Sequence, residues 1–316
     1  MFNGSYFQNF PFMEKLELGS NNLFTAYTED SKGVSNILEL KVSKEYIPFG
    51  FSDDLEIKSE IVFVGYGISA KDLEYDDYAG VDVKDKIVVV FRNHPDMKSP
   101  HSKFEQYSSL RYKTTNARDN GAKGIIFVNT MDKTEDLLTP LRYDDAAKIS
   151  GIVAVQVQKS SIEFIPFNEL QNKIDSTLKP NSFMLNKKYS VEIKTEVNEV
   201  KGTSVNVGGI IKATNNQFPG EYLVIGAHFD HLGWGGQNSL YMGEPSIHNG
   251  ADDNASGTTG LLELAEKFSS IKDKIDRDIV FIAFSGEELG LLGSSYVAVS
   301  YTHLMQRPIF HLMEKS

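Results

Sequence analysis

Tyr222-Leu223-Val224-Ile225-Gly226-Ala227-His228-Phe229-Asp230-His231 (YLVIGAHFDH) is the stretch whose reading decides the fold. Its first six residues carry no charge and read as a buried strand, and that strand runs directly into His228. In an open α/β sheet, the residues just past the carboxyl end of a strand face the crevice where ligands bind. Strand period two puts His228 and Asp230 on the same side. A metal-bound imidazole needs its other ring nitrogen to donate to an acceptor. Asp230 can serve as that acceptor or as a neighbouring orienter. Taken alone, a His–Asp pair at a strand end is equally an ordinary surface pair.

Working outward, two further segments repeat the pattern of charge at an element boundary. His248-Asn249-Gly250-Ala251-Asp252-Asp253-Asn254-Ala255-Ser256-Gly257 opens a helix predicted over 257–269, whose apolar side is Leu261, Leu262, Leu264, Ala265 and Phe268. Acids at a helix start cap it and offset its dipole. A carboxylate there can also bridge two cations, because it has two oxygens. Asp278–Phe284 (DIVFIAF) reads as another buried strand, followed by Ser285-Gly286-Glu287-Glu288-Leu289-Gly290 and a helix expected over 289–297. Two adjacent carboxylates between apolar elements are costly unless used. One can hold metal while its neighbour stays free as a general base.

The upstream half has its own α/β pattern. Ile61–Val64, Lys86–Phe91 (KIVVVF), Gly124–Asn129 (GIIFVN) and Ile152–Val157 read as buried strands, with helical spacing over 103–120. Gly65-Tyr66-Gly67-Ile68-Ser69-Ala70 fits a GxGxxA dinucleotide pattern. The polar run Lys71–Asp77 that follows has no helical apolar face, which disfavours that reading.

With 41% apolar residues the chain can bury a sizeable core, and a net charge of −11 argues against nucleic acid as a partner. The absence of Cys excludes thiolate metal sites and a catalytic Cys, so any zinc must be held by His, Asp and Glu. No apolar run reaches the roughly 18 residues of a membrane-spanning helix. Residues 1–12 lack the basic and apolar regions of a signal peptide.

Together, the run from Leu223 to Ser295 resembles the M28 family of zinc peptidases, where HxD, GADDNASG and GEExGLxGS patterns recur in this order. The resemblance implies an α/β fold, a zinc-exopeptidase-type three-layer αβα sandwich, present in part. It implies that His228 ligates one zinc, Asp253 bridges both, and Glu288 ligates the other. Asp230 would support the His ligand and Glu287 would be the general base. The implied activity is a zinc-dependent exopeptidase of the aminopeptidase type, hydrolysing N-terminal peptide bonds of a peptide substrate with water activated by two zinc ions. A related carboxypeptidase or amidohydrolase, or a non-catalytic binding module on the same fold, are the alternatives. Phe63–Tyr66, Tyr75–Val83 (YDDYAGVDV) and Gly121-Ala122-Lys123-Gly124 are similar to the protease-associated domain often inserted in that family. The implied organisation is an N-terminal part of the catalytic domain over 1–58, a protease-associated insert over 59–190, the peptidase core over 191–297, and a tail over 298–316 that departs from the family pattern. The resemblance further implies a parent that is extracellular, periplasmic or membrane-attached.

The family pattern calls for two more ligands, an Asp beyond the Glu pair and a late His. No Asp follows Glu288, and the contexts of His303 and His311 do not match. With each zinc short of one ligand, the chain as written is expected to bind zinc weakly and hydrolyse little. Calorimetric zinc titration checks this: shallow isotherms are expected, and two tight sites contradict it.

Overall fold

The computed structural model describes residues 4–29, 35–130, 136–141, 150–186, 188–235, 239, 241 and 243–304. The strands are β1 (Phe7–Leu18), β2 (Leu23–Glu29), β3 (Ser35–Glu39), β4 (Tyr46–Pro48), β5 (Glu56–Phe63), β6 (Ser69–Ala70), β7 (Tyr75–Asp76) and β8 (Ile87–Phe91). They continue as β9 (Gly124–Val128), β10 (Val153–Val157), β11 (Phe183–Met184), β12 (Tyr189–Lys194), β13 (Val197–Ile211), β14 (Tyr222–His228) and β15 (Asp278–Phe284). The helices are α1 (Leu110–Asp119), α2 (Phe167–Thr177), α3 (Gly257–Ser270) and α4 (Leu292–Leu304). No described helix is long and apolar enough to cross a membrane. The chain divides into two compact units, one of residues 15–200 and one of residues 1–14 with 201–316.

The unit of residues 15–200 is built on one large mixed sheet, ordered β3-β2-β12-β5-β8-β9-β10-β4, with β11 on β5. Its centre, β5-β8-β9-β10, is parallel. The continuous apolar runs of β8 and β9 follow from that position, because both faces are covered. Phe91, Val89, Ile126 and Val155 face a core closed by Phe167, Leu170 and Ile174 of α2. Val88, Val90, Ile125 and Phe127 face a second core closed by Ala117 of α1. The predicted helix over 103–120 is shorter than expected: the Ser109 side chain accepts from Tyr112 N–H and caps α1, which begins at Leu110. After Gly65-Tyr66-Gly67 comes the short strand β6 rather than a helix, in agreement with the weak case for a dinucleotide site.

That glycine loop is held by Asp77, from the YDDYAG stretch. The fully buried Asp77 carboxylate accepts from Tyr66 N–H (3.0 Å), Ile68 N–H (3.1 Å) and Tyr75 O–H (2.9 Å). Gly65, at φ +45°, leaves room for it: a Cβ there would lie 2.3 Å from Asp77 Oδ1. The buried Lys113 of α1 donates to the carbonyls of Phe91 (2.8 Å) and Asn93.

The unit of residues 1–14 and 201–316 has a four-stranded sheet ordered β1-β13-β15-β14. β13 is antiparallel to β15, and β14 is parallel to it in the register His228↔Phe284. Alternation along β15 sends Ile279 and Phe281 to one face, under Leu261 of α3, and Val280 and Ile282 to the other, against Val297 of α4. Helix, sheet and helix thus form a partial three-layer α/β arrangement, as the sequence suggests.

Two expectations change in this unit. β14 forms where predicted but is not buried: it pairs on one side only among the described residues, and Tyr222, Leu223 and Val224 are exposed. The second helix starts at Leu292, not 289, because Gly286, Gly290 and Leu291 take positive φ and keep the Glu pair in a turn. The compact units divide at 14/15 and 200/201, because β2 pairs with β12 and β12 with β5, drawing residues 23–58 into the large sheet. Residues 298–304 continue α4, and 305–316, including His311, lie outside the described residues.

Asp77→Ala leaves three buried donors without an acceptor and is expected to lower unfolding free energy by roughly 2–4 kcal/mol, with Asp77→Asn costing less. Burial outweighs those donors and pushes the Asp77 carboxyl up from 3.8 to about 7. The folded chain therefore keeps a proton that the unfolded chain has released. The resulting stabilisation is complete below pH 3.8 and is lost as the pH rises through 7. Denaturant melts between about pH 4 and about pH 6 should show this decline in the wild-type chain and a flatter profile in Asp77→Asn.

Candidate metal and catalytic site

The parallel register of β14 and β15 puts the ends of two strands side by side, and with them the residues that follow. His228 ends β14 and pairs with Phe284, which ends β15. Asp230 lies two residues on. Its carboxylate accepts from the backbone N–H groups of Glu287 (3.2 Å) and Glu288 (3.4 Å). Asp230 thus holds the turn that carries the Glu pair. Its relation to His228 is looser: His228 Nδ1 lies 3.8 Å from Asp230 Oδ1 and 3.2 Å from the Asp230 carbonyl oxygen. Of the two roles left open for Asp230, the carbonyl takes that of acceptor for His228 Nδ1, and the carboxylate orients its neighbours.

The other side of the turn is fixed from β13. Asn206, fully buried within the apolar end of β13, accepts from Ser285 N–H (3.1 Å) and donates to the Gly293 carbonyl (2.9 Å). It clasps both ends of the Glu-bearing turn. A lone Asn within VNVGGII was the available signal for this role, and only the fold explains it.

The third segment enters through Ala251–Ser256, an irregular helical turn before α3 in which Asp253 and Asn254 have non-helical backbone angles and share a cis peptide. Asn254 Oδ1 accepts from Gly257 N–H (2.9 Å), so Asn254 takes the capping task. Asp253 is left to turn toward His228, with Oδ1 3.1 Å from Nε2. Thr258 in the first turn of α3 donates to the His228 carbonyl (2.8 Å) and ties this segment to the end of β14.

All five residues singled out in the sequence therefore lie in one cluster. His228 contacts Asp253 and, at 3.9 Å, Glu287. Among the described residues the Glu287 carboxylate makes no hydrogen bond. Glu288 pairs instead with His231, whose Nδ1 lies 2.6 Å from Glu288 Oε1. Donor atoms of His231, Asp253 and Glu288 lie within 4.8 Å of one another. Imidazole nitrogens and carboxylate oxygens converging without a thiol are a donor set that suits a zinc ion poised for chemistry. The residues present fit that ion. A cavity of about 310 Å³ opens on the cluster, lined by Asp230, His231 and Glu288 on the polar side and by Phe10, Phe12 and Leu289 on the apolar side.

Residues 206–312 match the model of Peptidase family M28, and residues 57–165 match that of the PA domain. Aminopeptidase YwaD of Bacillus subtilis (strain 168) is 31% identical over 184 residues, which is 58% of this chain and 31% of that protein. A probable zinc metalloprotease of Pyrenophora tritici-repentis is 38% identical over 98 residues, 31% of this chain and 21% of that one. Among solved structures, an aminopeptidase from Aneurinibacillus sp. strain AM-1 is 25% identical, with a TM-score of 0.44, over 93% of this chain and 56% of that chain. The chain spans less than a third of the length of these curated relatives and about half of that structure. The M28 match continues to residue 312, past 297, where the sequence pattern ended the core. Residues 206–312 are thus similar to peptidase family M28, and residues 57–165 to the PA domain.

Proposed function

We propose that the chain carries the site of a zinc-dependent metallopeptidase of the aminopeptidase type, which hydrolyses N-terminal peptide bonds with two zinc ions held by His228, Asp253 and Glu288. The observation that carries this reading is the division of labour between the two adjacent glutamates. Glu288 turns into the donor cluster, while the Glu287 carboxylate stays uncommitted 3.9 Å from His228 Nε2. Zinc, when bound, supplies Lewis-acid polarisation of water and of the scissile carbonyl.

The protein groups then have distinct tasks. Glu287 takes a proton from the attacking water and returns it to the leaving amine, the work of a general base that becomes a general acid. Asp230 fixes where Glu287 sits by accepting both backbone N–H groups of the Glu pair. Asn206 holds the same turn from behind. The free α-amine of a peptide end is a cation, and the carboxylates around the cavity favour it over a blocked, neutral end. The names of the relatives, an aminopeptidase and a zinc metalloprotease, support the same reading.

The assay is hydrolysis of aminoacyl p-nitroanilides by the zinc-supplemented chain, with N-acetylated analogues as the contrast. Free-amine substrates should be cleaved slowly and blocked ones spared. Glu287→Gln should lower the rate by about 10²–10⁴-fold with zinc content unchanged. Equal cleavage of blocked and free substrates, or a Gln variant as active as wild type, would rule the reading out. Separately, Asp230→Ala removes the acceptor from two backbone donors. It is expected to speed amide hydrogen exchange at Glu287 and Glu288 and to cost about 1–3 kcal/mol of stability.

A further inference from the structure

His231 carries an inference that the sequence patterns do not contain. It lies just past β14, three residues after His228, and the HxD pattern gives it no task. In the structure its Nδ1 is 2.6 Å from Glu288 Oε1, and with Asp253 the two donors form a group whose atoms lie within 4.8 Å of one another. His228 reaches the same Asp253 carboxylate, 3.1 Å from Oδ1. The donors thus form a contacting pair, His228 with Asp253, and a group of three, His231, Glu288 and Asp253, whose atoms lie within 4.8 Å of one another.

Two physical points separate this from an incidental ion pair. A partly exposed His–Glu pair contributes little by itself and gives no reason for a second carboxylate to approach. Asp253 and Glu288 close together repel unless a cation lies with them. The position of the ring is also prepared by its surroundings. Gly250, at φ +60°, borders it so closely that a Cβ would stand 2.8 Å from His231 Cγ. His231 and Glu288 of the group line the cavity beside Asp230, so these two donors face open space. His248 is different: its ring lies 6.2 Å from that of His231, and its Nε2 pairs with Ser239 Oγ at 3.0 Å.

We propose that His231 is a metal ligand of this chain, forming with Glu288 and Asp253 a second cation centre beside the His228–Asp253 centre. This rests on the metallopeptidase reading above and adds a protein donor to the zinc that Glu288 would hold.

The chain contains no cysteine, so a thiolate introduced at one position reports on that position alone. His231→Cys titrated with Co²⁺ should develop a thiolate-to-cobalt charge-transfer band in the near ultraviolet. The wild-type chain and a His248→Cys control should not. In equilibrium dialysis against Zn²⁺, His231→Ala should bind one equivalent less than wild type. Should His231→Cys fold poorly, the wild-type chain supplies the measurement: zinc should shift the ¹⁵N resonances of the His231 imidazole. A wild-type chain that binds Co²⁺ or Zn²⁺ while His231→Cys shows no band, or whose His231 resonances do not move, overturns this assignment and leaves the metallopeptidase reading standing. A wild-type chain that binds neither metal overturns both.

Discussion

The in-register parallel pairing of β14 with β15 is the constraint on which the site depends. Each strand delivers its chemistry in the few residues after its last ladder position, so the register His228↔Phe284 decides which loops meet. A slip by one residue would turn every side chain to the opposite face and separate the His-bearing end from the Glu-bearing turn. Once the register holds, the Asp230 carboxylate can receive both N–H groups of the Glu pair and join the two loops directly. The alternating burial of β15, with α3 on one face and α4 on the other, is what specifies that register.

Around that pairing, irregular backbone is what aims the donors. Positive φ at Gly286, Gly290 and Leu291 keeps Glu287 and Glu288 out of α4, so their carboxylates project from a turn rather than from a helix face. The turn before α3 does the same for Asp253 while Asn254 satisfies the helix start. Loops of this kind can carry reactive groups because rigid elements on both sides hold them. Asn206 shows the complementary device, a buried side chain in a strand whose hydrogen bonds go to the loop rather than to the sheet.

The unit of residues 15–200 solves a different problem with similar means. Its parallel strands are covered on both faces by α1 and α2, so the core needs no polar group. It nonetheless buries Asp77 and Lys113 completely. Each holds backbone at strand ends by hydrogen bonds, Asp77 the Gly65–Ile68 loop, with the Tyr75 hydroxyl as a further donor, and Lys113 the chain leaving β8. Buried polar groups satisfied in this way define one backbone arrangement where apolar packing alone would permit several.

Much of this was legible in the residues. The apolar runs of β8, β9 and β15 announce central strands because only strands covered on both faces can be so uniformly apolar. His228, Asp230, Asp253, Glu287 and Glu288 announce themselves because charge between apolar elements is costly without a use, and few residue types can hold a cation. What remained hidden depends on distances across the chain. YLV in β14 reads as buried, yet its exposure depends on which strands flank it. The unit boundaries depend on β2 and β12 pairing, a contact between segments far apart in sequence. His231 looked like a neighbour of the HxD pattern and nothing more. Sequence by itself determined which atoms are able to bind metal or move a proton, because that is a property of residue type. Only the tertiary structure decided which of them stand together, because register, turn geometry and the approach of His231 and Glu288 come from packing that no local pattern encodes.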